Sequence, residues 1–212
     1  MKKIVFTIAF GLGLIVANAQ IQSLAGPRLG LVYISASPGS TFLNGDMKLD
    51  DIFEGSSDYA DVAKGSLTSL YGWQWESRFA DGGTFTGIVE WIALIGGLEK
   101  GKLLPSVSSM VGARTASGFE FAVGPNLSLS GIAMVFGVGY NFKSGNLNIP
   151  VNIAFVPGRK GTYEARYDLD SNPGPDEEWG TQDDVDEEVQ VAPIDYHSGN
   201  RFSITVGFNL NK

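Results

Sequence analysis

The chain reads as all-β: a closed, antiparallel, up-and-down transmembrane β-barrel of about eight strands behind a cleaved leader. Three observations predict it. Several segments alternate apolar and polar residues with the two-residue beat of a strand. The connections between them run long, short, moderate, short, short, short, long. The chain also opens with the parts of a secretion signal.

That opening is Met1-Lys2-Lys3, an apolar run from Ile4 to Val16, and Ala17-Asn18-Ala19 before Gln20. A basic start, a short apolar stretch and an A-x-A-like site make a secretory leader. The run is too short for a spanning helix, which needs ~20 apolar residues. Residues 1–19 are therefore expected to be a signal peptide and 20–212 a single barrel domain. No cysteine occurs, so neither a lipid anchor site nor a disulfide framework is expected.

The strands are expected, in order, at Arg28–Ser35, Leu70–Phe79, Thr84–Ile95, Val107–Thr115, Phe119–Val123, Ile132–Phe142, Leu147–Val156 and Phe202–Leu210. The second is the cleanest: Tyr71, Trp73, Trp75 and Phe79 share one face, while Gly72, Gln74, Glu76 and Arg78 share the other. The sixth and eighth repeat the pattern, with Ile132 to Phe142 and Phe202 to Leu210 apolar at every second position. In the third, Ile88, Ile92 and Leu94 fall opposite Phe85, Val89 and Trp91. Pro150 lacks a donor and is placed near the start of the seventh strand, where the loss matters least.

Alternation alone does not say which face is inside, since a soluble barrel alternates too. Aromatic residues crowd the apolar face toward strand ends, as in interfacial girdles. Trp91 and the Trp73/Trp75 pair fit such a girdle better than a sugar platform. The other face mixes small residues with Arg28, Arg78, Arg114, Glu76, Glu90 and Glu120. Charges of both signs are expected to pair in a narrow lumen, because buried charges persist only when paired. Finally, the short Gly-bearing turns (Ala80–Gly83, Ala116–Gly118, Lys143–Asn146) fall on one side. The longer loops (about 38–66, 96–105, 124–130 and 157–199) fall on the other. An even strand count returns both termini to the periplasmic side.

With these features the chain resembles small outer-membrane β-barrel proteins of Gram-negative bacteria, in the OmpA/OmpX-type size class. The leader is similar to those of Bacteroidetes secreted proteins. The segments Tyr71-Gly72-Trp73-Gln74-Trp75-Glu76, Gly118 to Asn126 and Gly145 to Asn152 resemble an uncharacterised barrel family of that group. The resemblance covers nearly the whole mature chain, and its motifs carry no reaction. It implies an outer-membrane location, contact with outer-membrane lipid and delivery by the barrel-assembly machinery. Many such barrels end on an aromatic residue; this one ends Asn209-Leu210-Asn211-Lys212, with Phe208 the nearest aromatic.

Charge narrows the function. The net charge is -8, and between Tyr167 and Glu188 stand ten acids without a Lys or Arg. Nothing here forms a basic stripe, so nucleic-acid binding is excluded. Asp168, Asp170 and Asn172 place oxygens at alternate positions, as calcium loops begin, and Asp176, Asp183 and Asp184 offer more. Pro173 and Trp179 stand where an EF-hand has its turn glycine and its chelating glutamate. The lone histidine, His197, precedes Ser198; neighbours on a strand point to opposite faces, which disfavours a lipid-hydrolase pair. Glycines such as Gly137 and Gly139 sit at alternating lumen positions with no helix following, so they are not a nucleotide loop. The expected function is a non-enzymatic structural or surface-interaction role, carried by long external loops toward an extracellular partner. The alternatives are a calcium-binding adhesion module and an outer-membrane lipid-modifying hydrolase; no other cofactor is expected.

Overall fold

Eight antiparallel walls close on themselves in the computed structural model of the protein, which describes residues 23–48, 64–172 and 185–211. The expected leader at 1–19 lies outside the described residues. The walls are β1 (Ser23–Ile34), β2 (Ser66–Asp81), β3 (Phe85–Gly96), β4 (Leu104–Thr115), β5 (Phe119–Ser128), β6 (Gly131–Ser144) and β7 (Leu147–Val156). Four short strands follow in the last connection: β8 (Lys160–Tyr163), β9 (Arg166–Asn172), β10 (Val185–Val191) and β11 (Ile194–His197). The eighth wall is β12 (Arg201–Gly207) continued by β13 (Asn209–Asn211). It pairs with β7 on one side and β1 on the other, and β1 pairs onward with β2, which completes the closure.

Alternation decides which side of each strand is buried. Outward stand Leu29, Leu31, Tyr71, Trp73, Trp75, Trp91, Val111, Phe121, Met134, Val138, Ile153 and Ile204, all exposed. Register lines up Tyr33, Phe202, Phe155 and Phe136 as one aromatic row across four strands, and the Phe155 and Phe202 rings stack at 4.7 Å. Trp75 pairs directly with Trp91. Inward stand Arg28, Gln74, Glu76, Glu90, Arg114, Glu120, Asn141, Asn152 and Thr205, all buried. The wall is therefore apolar outside and, at the level of these residues, strongly polar within.

Prolines explain the main departures from the expected strand limits. The fifth strand does not stop at Val123; it runs on through Gly124 and Pro125 to Ser128, leaving only Leu129 and Ser130 as its connection to β6. Gly124-Pro125 reads as a turn in sequence, yet Pro125 points outward and keeps its place opposite Met134 of β6. Toward β4 the ladder lapses at Gly124–Pro125 and resumes in step at Asn126 opposite Ser108. A missing donor thus costs a rung and leaves the register intact. The eighth wall shows the same effect twice. Pro27 of β1 lies level with Phe208, and Pro150 of β7 lies level with Gly207. The gap between β12 and β13 falls at Phe208, level with the donorless Pro27 and one residue beyond the level of Pro150, and the Phe208 N–H donates to the Pro27 carbonyl at 3.0 Å. β1 starts at Ser23, ahead of the expected Arg28, because Ser23 to Pro27 pair with Ser77 to Trp73 of β2.

The long connections are more structured than loops. The first opens with α1 (Pro38–Asn44), capped by Ser37 and Ser40 hydroxyls and ended by Gly45 at φ 88°. The last forms a hairpin: β8 pairs with β11, and β9 with β10. Both emerge at the end opposite the three short turns.

Close strand approach at inward glycines gives a test. A Cβ on Gly124 would sit 1.9 Å from the Ser109 carbonyl oxygen. Gly124→Val is expected to destabilise the barrel by about 1–3 kcal/mol. A lowered urea midpoint and loss of the fast-migrating unboiled band on a denaturing gel check this.

Candidate functional site

Two layers fill the lumen. The lower is a polar plug organised by Arg114. Its Nη1 and Nη2 donate to the two oxygens of Glu76 at 2.6 and 2.5 Å, and its Nε donates to Glu120. The second Glu120 oxygen accepts from Asn152 Nδ2 at 3.2 Å. Asn152 Oδ1 in turn accepts from Arg28, which also donates to Gln74 Oε1 and, at 2.9 Å, to Thr205 Oγ1. Gln74 Nε2 closes the chain on Glu90 at 2.6 Å. Seven walls contribute to this network, and the sixth contributes space. At Gly139 a Cβ would lie 2.3 Å from Asn152 Nδ2, so the absent side chain makes room for the amide.

Arg28, Glu76, Glu90, Arg114 and Glu120 are each at most 3 % exposed. Arg78 stands apart at the short-turn end: its Nε is 3.9 Å from Glu76 and its side chain is 22 % exposed. Three arginines face three glutamates, so the plug is formally neutral. Gln74, Asn152 and Thr205 are the members that charge alone does not reveal. They are neutral couplers, and their only signal in sequence is an inward phase on strands that already carry a charge.

Above the plug the lumen turns apolar. Ile92, Met110, Ala122, Ala133, Val135 and Val156 form one cluster, and Val32, Ile34, Leu43 and Leu70 another. Between them lies a cavity of about 130 Å³ whose floor includes Arg28, Glu90 and Glu120. α1 covers part of the open end with Phe42 and Leu43 buried. The 97–103 connection straps α1 down. Lys100 Nζ reaches Ser66 Oγ at 2.7 Å, and Lys102 Nζ lies 4.5 Å above the Phe42 ring. Glu99 accepts from the Ser69 amide at 3.0 Å and from the hydroxyls of Ser69 and Thr68. Those hydroxyls, Ser69 first, hold its carboxyl down at about 2.

The remaining sequence candidates belong to the last long connection. Asp168, Asp170 and Asn172 occupy alternate positions of β9. Asp176, Asp183 and Asp184 lie outside the described residues. His197 Nδ1 accepts from the Gly199 amide at 3.1 Å, and Ser198 Oγ accepts from the Arg159 amide at 2.9 Å. Each is thus engaged with backbone instead of with the other. No protein-family model matches the chain, and comparison with curated proteins finds no match.

Arg114 and Glu99 each generate a prediction. Arg114→Met strands two buried carboxylates and is expected to cost about 3–5 kcal/mol. Arg78→Met, at the wetter rim, is expected to cost far less, and urea midpoints of the two variants decide the ranking. Because the folded carboxyl of Glu99 titrates below its ordinary 4.5, its stabilisation is complete above that pH and disappears as pH falls toward 2. Hydrogen exchange at the Ser69 amide should accelerate over that window, and Glu99→Gln should flatten the dependence.

Proposed function

We propose that the protein is a non-enzymatic outer-membrane β-barrel, whose connections at the wide-loop end serve a structural or surface-interaction role toward an extracellular partner. The observation that carries this reading is the sign of the wall. Large apolar side chains stand exposed on its strands, while arginines and glutamates are buried inside. In water such an exterior is costly and aggregation-prone; in lipid it is the required solvent-facing surface. β1, β3 and β4 have 12 residues each, enough for an apolar band roughly 25 Å tall at barrel tilt. The leader-like start supports export, and the barrel-assembly machinery is the corresponding route of insertion. The plug disfavours passage of large solutes, since the network reaches across the lumen from wall to wall. That leaves α1 and the β8–β11 hairpin as the working parts.

One observation favours a calcium-dependent version of the same role. Ten acids and no Lys or Arg stand between Tyr167 and Glu188, and like charges so concentrated repel one another. A divalent cation would relieve that repulsion.

Expression of the full chain in a Gram-negative host tests both readings. The protein is expected in the outer-membrane fraction, with protease added to intact cells cutting between residues 173 and 184. Recovery from the soluble periplasmic fraction would overturn the membrane reading. Protection by calcium that chelation abolishes would support the cation; identical cutting in both conditions would remove it.

A further inference from the structure

We propose that the upper lumen is a binding site for a small amphiphilic anion. The apolar body occupies the cavity above the plug, and the carboxylate meets Arg201 and Arg159 at the mouth. This site is inside the barrel and is independent of what surrounds the outer wall.

Shape and lining define the body of the ligand. Val32, Ile92, Leu94, Met110, Val135 and Val156 present apolar walls around about 130 Å³. The plug residues of the floor are already bonded to one another, so the lower end asks for no polar group. An engineered apolar cavity of about 150 Å³ takes up benzene. A single ring or a short chain of similar bulk therefore fits here, whereas the whole acyl chain of a membrane lipid does not. Gly39, Ser130, Ser198 and Arg201 line the other end, which places the entrance among the outer connections and points to a water-borne source.

Charge defines the head. Arg201 donates through Nη1 to Ser128 Oγ at 2.9 Å, but its Nε is buried and has no hydrogen-bond partner among the described residues. Arg159 donates to the Ser130 carbonyl at 3.4 Å, on the same β5–β6 connection. Ser128 and Ser130 are two residues apart, so both guanidinium groups converge on one short segment. Among the described residues, the ion pairs are those of Arg78 and Arg114, and none involves Arg159 or Arg201. Arg201, with its spare buried donor, and the exposed Arg159, neither in an ion pair among the described residues, suit a planar carboxylate, which accepts from a guanidinium fork in parallel. A third polar group lies in the wall. Asn126 is 5 % exposed, its Nδ2 donates to Ser108, and its Oδ1 has no donor. It stands one inward position below Ser128, roughly 7 Å along β5. A hydroxyl at the far end of a ring carboxylate would satisfy it.

The probe is therefore 4-hydroxybenzoate, titrated calorimetrically into the full mature chain in phosphatidylcholine nanodiscs. Saturable one-site binding is expected. Phenol, which lacks the carboxylate, should bind roughly tenfold or more weakly, as should the probe with Arg201→Gln. Ala154→Phe, which fills the cavity from β7, should abolish binding while the unboiled barrel still migrates as folded. No saturable heat with the native chain would overturn the site. Undiminished binding to Ala154→Phe would overturn its location, and equal affinity for phenol or for Arg201→Gln would overturn the role of charge.

Discussion

Arg114 is buried in the lumen and has the fullest set of charged partners in the plug. Both its forks are occupied, by Glu76 on one strand and Glu120 on another. Burying an ion costs several kcal/mol, so the inward face tolerates its charges only as a closed, neutral set. This constraint propagates outward. The strands must hold a register that brings β2, β4 and β5 to one level, and glycines must clear space beside the larger couplers. At the level of the plug, the outer face is then the place left for the large apolar side chains.

Division of the lumen follows from the same constraint. The network consumes its own donors and acceptors, so it ends abruptly, and everything above it can be apolar. The upper half does not need charge to stay closed, since α1 and the 97–103 strap cover it with Leu43 and Phe42. Rigidity sits below, in bonds between charged groups. Accessibility sits above, in a cavity edged by short segments and long side chains.

Much of the wall is legible in the sequence because two-residue alternation is strong wherever one face meets apolar surroundings and the other does not. β2 and β6 show this from end to end. β5 hides its second half, since Gly124-Pro125 carries the signature of a turn and only the partner strands show that the ladder survives it. The hairpin within 157–199 is hidden for another reason: its acid-rich composition looks solvated whether or not its backbone pairs. Inward phase marks which charges share the lumen, but not who bonds to whom. Arg114 as the hub, and Gln74 and Asn152 as bridges, depend on heights along different strands that no single-strand pattern encodes. Arg201 is the least legible, because it opens a strand just after a loop and its surroundings come from β5 and the 157–159 segment.

Pro27, level with Phe208, marks the alignment at which the chain's ends join. A strand slid by two residues keeps its inner and outer faces, so side-chain burial alone penalises that error weakly. Here such a slide would carry Phe208 away from Pro27 and bring residues with ordinary hydrogen-bonding needs against a donorless position. The blank rung thus favours one alignment of the seam, the one in which the Phe208 N–H meets the Pro27 carbonyl.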